Sequence, residues 1–194
     1  MIRRFLAVLL VGVMCASCIC LAGCGGSSSS SSSSSAPSSP SSVDVQSVYE
    51  YLGDFDYEAS TVALVYEPVE DEDEYGIQYR IVKDIDGILN GSVPVMMYFY
   101  SSLSRDSYGI TAGVEDIAQC TWGEMLVVMV DVLDNDELIS RYEIGRVPEF
   151  VIVKGGSELS RFEGYNYEVW TMNDVALWVS SCGIRVDYSK LEIE

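Results

Sequence analysis

Few residues in this chain can carry chemistry. Histidine is absent, and six cysteines are spread over 194 residues. Cys15, Cys18, Cys20 and Cys24 crowd the start, whereas Cys120 and Cys182 stand alone downstream. Ser104-Arg105-Asp106-Ser107 offers two hydroxyls beside an arginine and an aspartate. A serine nucleophile needs a base such as His or Lys, and neither is near in sequence, so serine hydrolysis is not expected. Asp and Ser are good helix N-cap residues, which gives the tetrad a structural reading. Glu70 to Glu74 groups carboxylates without EF-hand spacing, so a solvated loop is expected there rather than calcium. No metal site and no cofactor are expected.

The balance of 30 acids against 11 bases gives a formal charge of −19. That much negative charge argues against nucleic acid and anionic lipid as partners and reads most simply as solubility.

The elements that would position these groups fall into three zones. Met1-Ile2-Arg3-Arg4 precedes an apolar run from Phe5 to Leu21, the pattern of a secretory signal. Leu21-Ala22-Gly23-Cys24 fits the bacterial lipobox, in which small residues allow cleavage just before a lipid-modified cysteine. Cys24 is therefore the expected lipidation site, carrying palmitate-type chains, and residues 1–23 the expected signal peptide. One acyl chain holds a bilayer only marginally, but two or more hold stably, so the product would be anchored to the membrane without spanning it. Thirteen residues between Ser27 and Ser42 are serine, so residues 24–42 read as a disordered tether reaching roughly 20–25 Å. Loss of residues 1–23 removes two arginines and no acid, taking the charge from −19 to −21.

Residues 43–194 are long enough for one domain with its own core. Val45, Val48, Tyr49 and Leu52 have helical spacing, which predicts a short helix within 43–55. Strands are expected at 61–66 and 77–82, making a hairpin extension. Asp84 is placed to cap a helix ending near Asn90. Val93 to Tyr100 and Met125 to Val132 read as buried strands on either side of a helix from Ser107 to about Trp122. A short helix follows at 134–142. Then come a hairpin over 149–162 turning at Gly155-Gly156 and a last helix from Tyr167 to Ser181. Residues 184–194 are left as an extra strand or a loose tail. The two buried strands, joined by a helical crossover, must be parallel, and the hairpin strands antiparallel. The fold class is α/β, a mixed sheet with helices on both faces.

This order, with Arg146-Val147-Pro148 before the hairpin, resembles thioredoxin over Pro94 to Gly164. Asp131 to Asn135 matches that family's "D-x-D-x-N" stretch. Tyr142 to Pro148 matches its "Y-x-I-x-x-x-P", Lys154-Gly155-Gly156 its "K-N-G", and Gly164 its late glycine. The resemblance implies a thioredoxin-like fold and a cis bond at Val147-Pro148. It places Ser104-Arg105-Asp106-Ser107 where the family carries C-x-x-C, and Tyr98 where it buries an aspartate. Disulfide exchange needs an attacking thiolate and a resolving thiol, so redox activity at that turn is not expected.

The resemblance also implies a peptide groove walled by Tyr100, Leu103, Arg105, Val147, Pro148, Gly164 and Tyr165. The competing reading is that Tyr100 and Leu103 pack beneath the turn. It further places Cys120 and Cys182 near the ends of two helices on one sheet face. A structural disulfide between them is expected in an oxidising compartment, against the alternative of two buried thiols that never touch. Together these features suggest an extracytoplasmic, lipid-anchored module, more a binder of peptide or protein than an enzyme. The alternative is a thiol–disulfide oxidoreductase or export accessory that uses Cys120, Cys182 or a partner's cysteine.

Overall fold

The computed structural model describes residues 44–69, 74–164 and 169–191, the side chain of Tyr108 excepted. The chain divides into two units, Met1–Ser39 and Pro40–Glu194, and the described residues all belong to the second. The signal segment, Cys24, the serine tether, Glu70 to Asp73 and Tyr165 lie outside the described residues.

Two apolar runs organise the sheet. Strand β4 (Val95–Tyr100) and strand β5 (Leu126–Asp131) pair in parallel across helix α2 (Arg105–Cys120). Both strands are buried on both sides, which is why they read as unbroken apolar sequence rather than as alternation. Met96, Tyr98, Val127 and Met129 face one core; Met97, Phe99, Val128 and Val130 face the other. Strand β6 (Glu149–Lys154) runs antiparallel to β4, and β7 (Ser157–Arg161) antiparallel to β6. Gly155 and Gly156 form the two-residue turn between them with φ of 57° and 77°, a conformation that only glycine adopts freely.

The amino-terminal extension completes the sheet. Strands β1 (Leu52–Phe55), β2 (Thr61–Pro68) and β3 (Tyr75–Val82) give the order β1-β3-β2-β5-β4-β6-β7. Strand β2 joins β5 antiparallel. The expected helix over 43–55 is a correction: a 3-10 turn, Val45–Tyr51, runs straight into β1. Val45 and Val48 are three residues apart, a spacing that a 3-10 turn buries as well as an α-helix does. Pairing of Leu52 with Val82 then draws the chain into the sheet.

Helix α2 and helix α4 (Met172–Ser181) cover one face, α2 through Val114, Ile117 and Ala118 and α4 through Val175, Ala176 and Val179. Helix α1 (Ile85–Asn90) and helix α3 (Asp136–Arg141) cover the other through Ile88, Leu89 and Leu138. Asp84 caps α1 as expected, its carboxylate accepting from the Gly87 amide at 2.8 Å. Helix α4 starts later than the sequence suggested. Asp174 accepts from the Thr171 amide and hydroxyl, both at 2.8 Å, and fixes the helix start at that point. Residues 184–191 form neither a strand nor a loose tail. Ile184 and Val186 are buried, and the Asp187 amide donates to the Cys120 carbonyl at 2.9 Å.

Candidate functional site

The turn after β4 is built on serine hydroxyls and one tyrosine. Ser104 takes the N-cap position of α2 but makes no side-chain cap bond; its amide closes the turn on the Ser101 carbonyl at 2.9 Å. Ser107 is 1% exposed, and its Oγ accepts from the Ser101 amide at 3.3 Å. Its carbonyl accepts from Tyr98 Oη at 3.0 Å and from Thr111 Oγ1 at 3.2 Å. Burial drives the Tyr98 phenol far above its ordinary pKa, so it stays a neutral donor. Lys154 cannot serve either serine as a base. It ends β6 beside Val95, at the opposite end of β4 and about 17 Å from the turn at 3.3 Å per residue.

Opposite this turn, Val147-Pro148 is cis. A groove of about 290 Å³ lies between them, lined by Asp106, Ile110, Arg146, Val147, Pro148, Phe162, Gly164 and Trp170. Helix α2 supplies one wall, the cis-proline loop a second, and the segments flanking β7 and α4 the floor. Among the described residues, the backbone N–H and C=O of Val147 carry no hydrogen bond. The floor is held by ring contacts. Phe162 and Trp170 meet edge to face at 5.4 Å, Trp170 meets Phe150 at 5.8 Å, and Phe150 stacks on Tyr98 at 5.1 Å. The groove is thus continuous in packing with the tyrosine under the turn.

Of the wall residues expected from sequence, the structure gathers Val147, Pro148 and Gly164. Tyr100 is half-buried, stacks on Tyr98 at 5.6 Å and packs on the core instead. Leu103, at 83% exposed, and Arg105 stand on the rim outside the groove. Ile110, Arg146 and Phe162 were missed, and Trp170, which the sequence left open between helix packing and a binding patch, lines the groove. Ile110 lies four residues after Asp106, one helical turn along, and Arg146 directly precedes Val147, so both were within reach of a spacing argument. Phe162 carried no comparable signal.

The expected Cys120–Cys182 disulfide is not formed; both are free thiols. Cys120, 4% exposed, points into the α2–α4 core, and the tail at Val186 and Asp187 closes over it. Burial, then the carboxylates of Asp116 and Asp187, push its thiol up to about 11, with Lys190 opposing. Cys182 is half-buried at the end of α4. Among the described residues no cluster of acids and cysteines could hold a metal ion.

Two carboxylates shape the surrounding loops. Asp131 Oδ1 accepts from the amides of Ser102 at 3.4 Å and Leu133 at 3.1 Å, tying the loops after β4 and β5 together. Glu149 is 7% exposed and is ion-paired to Arg161, which also donates to the Tyr142 carbonyl at 2.7 Å.

The thioredoxin family profile matches residues 84–173. Over 77 residues the chain is 30% identical to Thioredoxin 1 of the cyanobacterium Nostoc sp. (strain PCC 7120), a span covering 40% of this chain and 72% of that protein. Among solved structures, the germline-specific thioredoxin Deadhead of Drosophila melanogaster is 18% identical, with a TM-score of 0.42 over 47% of this chain and 83% of its own. The malaria parasite thioredoxin-2, described as a component of protein secretion machinery, is 15% identical, with a TM-score of 0.40 over 46% and 82%. The family profile falls on the segment that holds β4, α2, the cis-proline loop and the β6–β7 hairpin, and with 30% identity over 72% of Thioredoxin 1 the chain belongs to the thioredoxin family.

Proposed function

We propose that this protein is a lipid-anchored, extracytoplasmic thioredoxin-like module that binds an extended peptide or protein segment and is redox-inactive at the turn after β4. The observation that carries the reading is a contrast within one site. The groove beside the cis-proline remains open, with an aromatic floor and, among the described residues, no hydrogen bond on the Val147 backbone. The helix start beside it carries Ser104 and a buried Ser107, where exchange chemistry would need thiols. An unpaired backbone edge supports added-strand recognition, in which main-chain bonds give affinity and side-chain pockets give selectivity. Lipid attachment at Cys24 and the serine tether would hold this groove clear of the membrane surface.

Exchange through Cys120, Cys182 or a partner's cysteine is the second reading. A buried thiol whose pKa is pushed up to about 11 is a poor attacker, which weighs against Cys120.

The full chain in an uncharged detergent is expected to bind peptides on an array of random extended dodecamers. The same preparation should not reduce a soluble disulfide substrate above the background of the added thiol. Gly164→Ala, checked for fold by circular dichroism, should abolish array binding, because an added Cβ overlaps the Phe162 ring in the groove floor. Disulfide turnover that disappears in a Cys120→Ser or Cys182→Ser variant would overturn the reading. In cells, Cys24→Ser is expected to move the protein from the membrane to the soluble fraction.

A further inference from the structure

The groove has a charge sign. Asp106 lines it from the first turn of α2, is exposed, and makes no ion pair or hydrogen bond through its carboxylate among the described residues. A second depression of about 450 Å³ adjoins the groove and shares Arg146 with it. Glu143 lines that depression, also exposed and also without a side-chain partner among the described residues. A third depression, of about 440 Å³, shares Phe162 with the groove. Across the three, six carboxylates (Asp106, Glu143, Glu149, Glu158, Glu163 and Asp174) face two guanidinium groups, Arg146 and Arg161, and exposed Arg105 beside Asp106 adds a third cation. Arg161 is already committed to Glu149 and Glu158. The surface around the groove is therefore negative, within a chain whose formal charge is −19.

We propose that the occupant is a cationic extended peptide. It places a bulky apolar side chain on the floor between Ile110, Phe162 and Trp170, with Lys or Arg side chains reaching Asp106 and Glu143. This deepens the peptide-binding reading above and rests on it. An added strand alongside Val147 projects alternate side chains to opposite sides, so a central apolar residue faces the floor while its neighbours reach outward to the rims. Rim charges act mainly on partner choice and association rate, and they exclude acidic competitors by repulsion.

Fluorescein-labelled heptapeptides provide the test, with Phe or Leu at the centre and Lys, Gln or Glu on both flanks. They are titrated by anisotropy against the full chain in an uncharged detergent. The Lys-flanked peptide should bind about tenfold more tightly than the Glu-flanked one at low salt, with Gln between, and the gap should narrow at about 0.5 M salt. Both Asp106 and Glu143 are exposed, so the Asp106→Lys/Glu143→Lys double variant should stay folded while flattening or inverting the order. Binding that is blocked by Gly164→Ala yet indifferent to flank charge would overturn the cationic occupant and leave the groove reading standing. An order that survives the double charge reversal would remove these two acids as its cause and overturn the inference. If no heptapeptide binds at all, the peptide-binding reading falls, and this inference falls with it.

Discussion

Arg161 is the residue whose loss should disturb the groove most without touching it. Its guanidinium pairs with Glu149 through Nη1, and its Nη2 donates to the Tyr142 carbonyl at 2.7 Å and to Glu158 Oε2 at 2.8 Å. Glu149 directly follows the cis-proline, Tyr142 follows α3, and Arg161 directly precedes Phe162. One side chain thus fastens the cis-proline loop to the strand that delivers the groove floor. Arg161→Met keeps the aliphatic stem and deletes the charge. The exposed pair with Glu158 contributes roughly 0–1 kcal/mol. Leaving Glu149 nearly buried without a cation costs about 3–5 kcal/mol, the usual penalty for breaking a buried pair from one side. A net loss of about 3–6 kcal/mol follows, or a Tm lower by about 6–24 °C for a domain of this size. Adding Glu149→Leu removes the orphaned charge, so the double variant should be more stable than Arg161→Met alone. Urea unfolding followed by tryptophan fluorescence reads this locally, since the Trp170 and Trp178 rings lie 5.4 and 5.6 Å from Phe162. A loss below about 1 kcal/mol for Arg161→Met, or a double variant as unstable as the sum of the singles, would refute the reasoning.

Cys120 makes a second, pH-dependent prediction. Its thiol titrates at about 11 in the folded chain against an ordinary 9.0, so its stabilisation is complete below pH 9 and is lost as pH rises toward 11. Urea midpoints measured from pH 8 to 11 should fall more steeply in the wild type than in Cys120→Ala, by about 2–3 kcal/mol over that window. Tyr98→Phe should cost only about 1 kcal/mol by denaturant unfolding, because the Ser107 carbonyl keeps the Thr111 hydroxyl as a donor. Gly164→Ala should cost about 1–3 kcal/mol by the same measurement, because the Phe162 ring must move to admit the methyl group. Leu103→Ser should leave the unfolding midpoint within about 0.5 kcal/mol of wild type, since the side chain is exposed.

Much of the fold could be read because its central elements obey local rules. Val95 to Tyr100 and Leu126 to Asp131 are too short and too apolar for anything but strands buried on both faces. Gly155-Gly156 between two β-rich runs specifies its own turn. The misreadings arose where local rules are degenerate. Val45 and Val48 satisfy a 3-10 turn as well as a helix, and only pairing of Leu52 with Val82 decides the outcome. The start of α4 is fixed by Thr171 and Asp174, a pair lying inside the apolar pattern that suggested an earlier start. The site was half legible. Val147, Pro148 and Gly164 came through a matched pattern of residues. Phe162 and Trp170 are brought together by packing between β7 and α4, which no spacing along the chain encodes.

The same packing explains how a turn without thiols can still hold a groove open. A site that exchanges disulfides needs a reactive, accessible thiolate at the start of α2. Ser107 is instead buried, its hydroxyl spent on the Ser101 amide and its carbonyl on Tyr98 and Thr111. Tyr98 stacks on Phe150, Phe150 touches Trp170 edge to face, and Trp170 forms the floor beside Phe162. The hydrogen bond from Tyr98 to the Ser107 carbonyl therefore also anchors the rings on which a bound side chain would rest. A wall fixed before binding loses less conformational entropy when a peptide arrives, which favours recognition. Exchanging Ser104 and Ser107 for cysteines would therefore trade part of that rigidity for reactivity, and peptide affinity should fall as the turn gains redox activity.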